Sequence, residues 1–466
     1  MKRILFFLCL SFGATAQLRE VAEVSFVLPE QVGEDIDVLP VNDDIVLVNF
    51  QEDYAKREQR VVVLKYNAGL ELTWTASAAV PRFYQPVSYV VSGQALYYLV
   101  KEKDGRKLQM LEFDLVNHRV TTSEFESITV FENIGFTVFN GYPIISGLYN
   151  LRPVVEMHNP REKTAKVLPD IYNKNNEVRG IFSNPYRKEL YVFSSLRQNC
   201  QFQVATYDES GKFLYRQTVG DKKHRVRYAD VKFGTGGEPF LVGTYNSACL
   251  DMVEGVFSVS LDFPKEIRYH SLATLPGYKS ALSEKKKRRL QIRRERGKTS
   301  EIRQKAIFHV PASGVNGFLL VTEFYNAQPV SGSGGQYRST YFAEHKIWRI
   351  LITEIDTEGN VTYDRLYKVE GDNFRHLQPQ SAFLLNNDEF YTFLPSGSRL
   401  VIGGPEGNEF FPLFAPGDGI RMTNTEARLF NTGPNTFIAH GVTEMRSFGS
   451  EVASPQLYFI KKFEFQ

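Results

Sequence analysis

The sequence predicts an all-β chain built from a four-strand unit repeated about eight times, and three observations carry that expectation. The first is a recurring hairpin. Gln203–Tyr215 (QVATYDESGKFLY) alternates polar and apolar residues on both sides of a turn, and Val62–Leu72, Met110–Val120, Val154–Val167, Phe257–Tyr269 and Ile350–Tyr363 repeat its plan. Period-two alternation marks strands, and the Asn, Asp, Gly and Pro between them supply turn conformations. The second is a set of eight short, almost wholly apolar runs: Ile45–Val48, Leu96–Val100, Pro143–Ile145, Leu190–Phe193, Phe240–Val242, Phe318–Val321, Phe390–Phe393 and Phe437–Ile438. A strand covered on both faces loses its polar alternation. The third is spacing. From Ile45 through Leu96, Ile144, Leu190, Phe240, Phe318 and Phe390 to Phe437 the steps are 51, 48, 46, 50, 78, 72 and 47 residues.

The two long steps each contain an insertion. Lys279–Lys305 is charged and helix-like, Asn326–His345 is rich in Gly, Ser and Gln, and without them the steps fall to 51 and 52 residues. A period near 50 with four strands per unit resembles the β-propeller superfamily over essentially the whole chain after its leader, in architecture alone. Neither a Trp-Asp blade ending nor a repeated double-glycine kelch pattern accompanies it. The resemblance implies an eight-bladed ring, with seven as the alternative because the Pro/Gly-rich stretch Pro395–Asp418 need not complete a regular blade. The last run is followed by Gln456–Phe465 (QLYFIKKFEF), and Glu20–Leu28 (EVAEVSFVL) is the strand expected to pair with it, which removes an exposed sheet edge.

The chain opens with Lys2 and Arg3, an apolar stretch Ile4–Phe12 and the small residues Ala14-Thr15-Ala16 before Gln17, the pattern of a secretory signal peptide covering residues 1–16. A single propeller domain is expected over 17–466. No later stretch has the roughly 18 consecutive apolar residues of a membrane span, so a soluble, exported chain is expected, periplasmic or outer-membrane-associated, with secretion as the alternative. The Ala-Thr-Ala-Gln cleavage region and aromatic-rich strands resemble exported proteins of Bacteroidetes-type bacteria. Beyond the leader only Cys200 and Cys249 remain, each just after the second strand of successive repeats, and they are expected to form a disulfide.

Function is written less plainly than fold. Ser283–Lys305 holds eleven Lys or Arg against three Glu, a local charge of +8 in a chain of formal charge +2. With Lys2 and Arg3 removed, everything outside the insert carries −8. Lys286, Arg289 and Arg293 represent a basic arm for an anionic partner, whether an envelope protein, an anionic surface or an acidic glycan; export disfavours nucleic acid. A solvated projecting helix is the plainer reading, and Leu290, Ile292 and Ile302 give it only a thin apolar stripe. A second candidate is Tyr-Asn at comparable positions of three repeats: Tyr149-Asn150, Tyr245-Asn246 and Tyr325-Asn326. With Arg197 and Glu323 nearby, such residues could hold a sugar or peptide, or simply end strands and start turns.

Catalytic signatures are missing from the sequence. The eight His show no helical zinc spacing, no Gly-x-Ser-x-Gly elbow occurs, and Gly332–Gly335 lacks the Lys-Ser/Thr and helix of a phosphate loop. No cofactor and no metal site is expected. The leading expectation is therefore a non-enzymatic scaffold or binding propeller of the bacterial cell envelope. A glycan-acting hydrolase or lyase with its site at the channel mouth, and a carbohydrate-binding module, are the alternatives.

Overall fold

The computed structural model describes residues 18–28, 36–53, 57–234, 236–263, 266–297, 302–314, 317–329, 343–370, 373–374, 378–386, 389–404, 407–414, 420–433, 435–447 and 456–465. The expected leader (1–16) and the Gly332–Gly335 loop lie outside them. The chain is an all-β, eight-bladed β-propeller, with seven antiparallel sheets of four strands and one of six. In chain order the blades cover 36–80, 84–126, 132–167, 176–219, 225–271, 306–374, 382–412 and 420–465, the last completed by Leu18–Val27. Blades 1 to 6 belong to one compact unit, and blades 7 and 8 to another.

Every one of the eight apolar runs forms the second strand of a blade, from Asp44–Asp53 in blade 1 to Thr436–Ser447 in blade 8. Burial explains the loss of alternation. Ile45, Val46, Leu47 and Val48 are all buried, as are Leu190 through Phe193, the latter because blades 3 and 5 cover the two faces of blade 4. Separate apolar clusters fill the spaces between sheets: Val46, Val61, Leu96 and Phe113 between blades 1 and 2, and Tyr191, Phe202, Leu241 and Phe257 between blades 4 and 5. Fourth strands lie at the outer edge and keep their polarity, as in Arg119–Glu126. The stretch 395–418 supplies strands Arg399–Gly404 and Gly407–Pro412, so blade 7 is complete and the count is eight.

First strands carry a repeated irregularity. Register shifts fall between Pro86 and Ser88, Glu132 and Gly135, Val178 and Gly180, and Val226 and Tyr228, one in each of blades 2 to 5. Such bulges sharpen local twist. In blade 5 the second strand answers with Gly243, where a Cβ would overlap the Tyr228 carbonyl.

Blade 8 joins the two ends of the chain. Leu18–Val27 pairs antiparallel with Gln456–Phe465, from Leu18 opposite Phe465 to Val27 opposite Leu457. Lys461 Nζ, almost buried, lies 3.0 Å from both the Glu20 and Glu23 carboxylates. Cys200 and Cys249 are disulfide-bonded with Cα atoms 5.8 Å apart, linking the loops that follow the second strands of blades 4 and 5.

Candidate functional site: a basic helix over an apolar hollow

Between blades 5 and 6 the chain leaves the sheets. It first forms a short helix, α1 (Pro276–Ser280), opened by a proline in its first turn, where the missing N–H costs nothing. Close approach fixes α1 to blade 6. A Cβ at Gly277 would overlap the Asp364 carbonyl, and the Tyr278 N–H donates to Asp364 Oδ2 at 2.8 Å. The Tyr278 ring is buried edge-on to Phe324, centroids 5.8 Å apart. Burial pushes its hydroxyl up to about 12, opposed by the Arg349 guanidinium hydrogen-bonded to it. Burial also pulls the Arg349 guanidinium down, and it lies 4.1 Å over the Trp348 ring.

A second helix, α2 (Glu284–Glu295), follows Ser283 and Leu282. Glu284 in its first turn and Arg293 and Arg294 in its last match the helix dipole, and Gly297 at φ 65° takes the left-handed turn after its end. No residue of α2 is buried. Leu290 packs half-buried with Ile302 on the cluster of Leu282, Tyr278, Phe324 and Leu351. The return leg is pinned. Gln304 and Val253 exchange both backbone hydrogen bonds, and Arg303 pairs with Glu254, which is 2% exposed and also accepts from the Ser247 N–H at 2.8 Å. The described ends of the basic insertion are therefore both anchored, and α2 between them carries no buried residue.

Beneath α2 lies a hollow of about 590 Å3. Tyr278, Leu282, Leu290, Ile292 and Ile302 supply apolar walls, and Lys286, Arg289 and Arg293 line it together with Gln304. Residues three and four apart share a helix face, so these cations line one side of the opening. The hydrogen bonds and ion pairs within α2 lie elsewhere: Lys287 Nζ to Glu284 at 2.8 Å, and Gln291 Nε2 to Glu295 at 3.0 Å. Lys286, Arg289 and Arg293 have no ion-pair partner among the described residues.

The Tyr-Asn positions sit in three different settings. Tyr149 ends its strand half-exposed and Asn150 takes φ 49° in the hairpin turn. Arg197 is an exposed turn residue whose backbone N–H donates to the Asn175 carbonyl. Tyr245 is buried edge-on to His224 and Tyr269, which stack on each other. Asn246 Nδ2 donates to the carbonyls of Leu250 at 2.5 Å and Met252 at 2.7 Å, tying down the loop that carries Cys249. Glu323 is fully buried, bound to His309 Nε2 at 2.6 Å and to the Gln380 N–H at 3.0 Å. Tyr325-Asn326 departs from the expectation of a strand end. A register shift after Phe324 lets the strand run on to Pro329, with Asn326 opposite Lys346, so the expected long loop has paired ends and only 330–342 falls outside the described residues. Tyr325 is buried edge-on to His345.

A second hollow, of about 580 Å3, is lined by Ser88, Gly135, Phe136, Ser146, Val178, Arg179, Gly180 and Ile181, at the bulges of blades 2 to 4. Its one cation is engaged: Arg179 reaches Ser195 Oγ at 3.0 Å and Glu177 at 3.1 Å. Among the described residues, neither hollow is lined by a carboxylate. Among the described residues no group of three or more His, Cys, Asp or Glu is placed to hold a metal, and no helix is long and apolar enough to cross a membrane.

The class defined by these features is an eight-bladed propeller carrying an anchored basic helix. No protein-family model matches the chain, and no curated protein matches it in sequence. Solved structures resemble it at 10% identity. The Dos1 propeller aligns over 96% of this chain and 95% of its own with a TM-score of 0.45. The polysaccharide lyase Uly1 aligns over 81% and 89% with 0.38. A structure from a study of two prolyl endopeptidases aligns over 93% of this chain with 0.40, and the present chain spans about half of its length, 54%.

Proposed function

We propose that the protein is a non-enzymatic binding propeller of the bacterial cell envelope whose basic arm docks an anionic protein surface. The observation that carries this reading is the uncompensated charge of α2 on a fixed mount. Arm residues that served only as a solvated connection would need no buried Glu254, no backbone exchange at Gln304 and no seat on Asp364. Anchored cations present their charge in one place, which favours steering and orientation of an acidic partner. The described lining of the hollow beneath α2 pairs cations with apolar walls, a composition suited to holding an anionic partner. An oxidising compartment agrees with the Cys200–Cys249 bond, and export itself rests on the leader.

The test is affinity capture from envelope extract at low and high salt. The intact chain is expected to retain a partner at low salt and release it at high salt. A variant with 284–297 replaced by a short Gly-Ser linker keeps both anchors and should retain nothing; capture that survives the replacement overturns the reading.

A further inference from the structure

We infer that the hollow beneath α2 is a binding site for a single-chain anionic amphiphile, a long-chain carboxylate. Its volume of about 590 Å3 falls within the range of small-molecule sites. Two chemically different halves meet there. The walls are Leu282, Leu290, Ile292 and Ile302 with the Tyr278 ring, and Ile292 is 37% exposed while Leu290 and Ile302 are half-buried. The lining also holds Lys286, Arg289 and Arg293, three like charges on successive turns with no carboxylate beside them among the described lining residues. Each half is unsatisfied alone: apolar surface faces water, and like charges on one helix face repel.

One ligand relieves both. An alkyl chain removes the apolar walls from water, and a carboxylate at its end accepts charge-assisted hydrogen bonds from guanidinium groups, whose forked donors match it. A small hydrophilic anion lacks the chain, and a neutral alcohol lacks the head. The second hollow offers no such pairing, since Arg179 is already occupied by Ser195 and Glu177. This site goes beyond the partner reading and does not depend on it. The cations outside the hollow, Lys285, Arg288 and Arg294, are exposed and available to a protein surface while the hollow is filled.

The test uses the full chain after its leader and 11-(dansylamino)undecanoic acid, kept below its micellar concentration, with fluorescence as the readout. Saturable one-to-one binding is expected, displaced by hexadecanoate but not by hexadecanol or inorganic phosphate. Arg289→Glu combined with Arg293→Glu should weaken binding at least about tenfold. Ile292→Asp, at an exposed position outside the buried cluster, should do the same. Lys285→Glu combined with Arg288→Glu should leave probe binding unchanged while weakening protein capture, which separates this site from the partner surface. An unchanged unfolding midpoint shows that each variant is folded. Absence of saturable binding, equal displacement by hexadecanol, or retention of binding in both hollow variants would overturn the assignment. Adsorption to vesicles of anionic phosphatidylglycerol without uptake of the monomeric probe would overturn it as well, since it reports surface charge alone.

Discussion

Arg293 and Glu323 are both charged residues in the same compact unit, and they do opposite things. Glu323 is fully buried, with its carboxylate spent on His309 and the Gln380 N–H. Arg293 stands on an unburied helix with no ion-pair partner among the described residues. A buried charge is tolerated only when its neighbours satisfy it, so partners inside the fold mark structural work. An unsatisfied charge on a rigid mount is free to meet something else. That contrast underlies the proposal that the arm, and not the Tyr-Asn positions, meets a partner.

The contrast can be broken most directly at Glu323. Glu323→Ala strips His309 and Gln380 of their acceptor, and the midpoint of chemical denaturation should fall by an equivalent of about 3 kcal/mol or more. A stability within experimental error of the parent would mean that the buried cluster is not structural. His440 tests the same logic through pH. It is buried, with Nδ1 2.9 Å from the Tyr458 hydroxyl, and burial, aided by Arg428, pushes it down to about 3. The unfolded chain titrates this histidine near pH 6.5, so between there and pH 3 the unfolded state binds a proton that the folded state refuses. Stability from this group is present above that range and is lost as pH falls, by up to about 1.4 kcal/mol per pH unit. Thermal melts should show a shallower acid decline for His440→Gln, and identical slopes would refute the assignment. At the small end, Arg289→Ser with Arg293→Ser should change stability by less than about 0.5 kcal/mol. A larger loss would place those side chains with Glu323 as structural.

Most of the fold was legible because it rests on repetition. Eight apolar runs, the two insertions and the terminal strand pair all follow from a period that any single blade would be too short to reveal. Tyr325-Asn326 was misread for a local reason: the bulge after Phe324 continues the strand where blades 3 and 5 turn, and polar Asn and Gln look like a loop in sequence. Glu323 gave one faint signal, a carboxylate inside the run Val321-Thr322-Glu323-Phe324. Its partners, His309 and Gln380, are 14 and 57 residues away, and sequence carries no record of such meetings. The hollow was hidden in the same way. Leu290, Ile292 and Ile302 were visible as a thin stripe, but the walls also need Tyr278 and Leu282 from the segment before α2, brought there by the Gly277 approach to Asp364.

The pairing of Leu18–Val27 with Gln456–Phe465 has a consequence for time as well as for shape. Glu20 and Lys461, 3.0 Å apart, are separated by 441 positions, so among the described residues blade 8 contains the longest loop closure. Contacts of such sequence separation slow folding. Leu18–Val27 has no partner strand until Gln456–Phe465 is in place. Breaking that pairing would leave Leu18–Val27 and the outer side of Gln456–Phe465 as open edges, the kind of surface that recruits other strands.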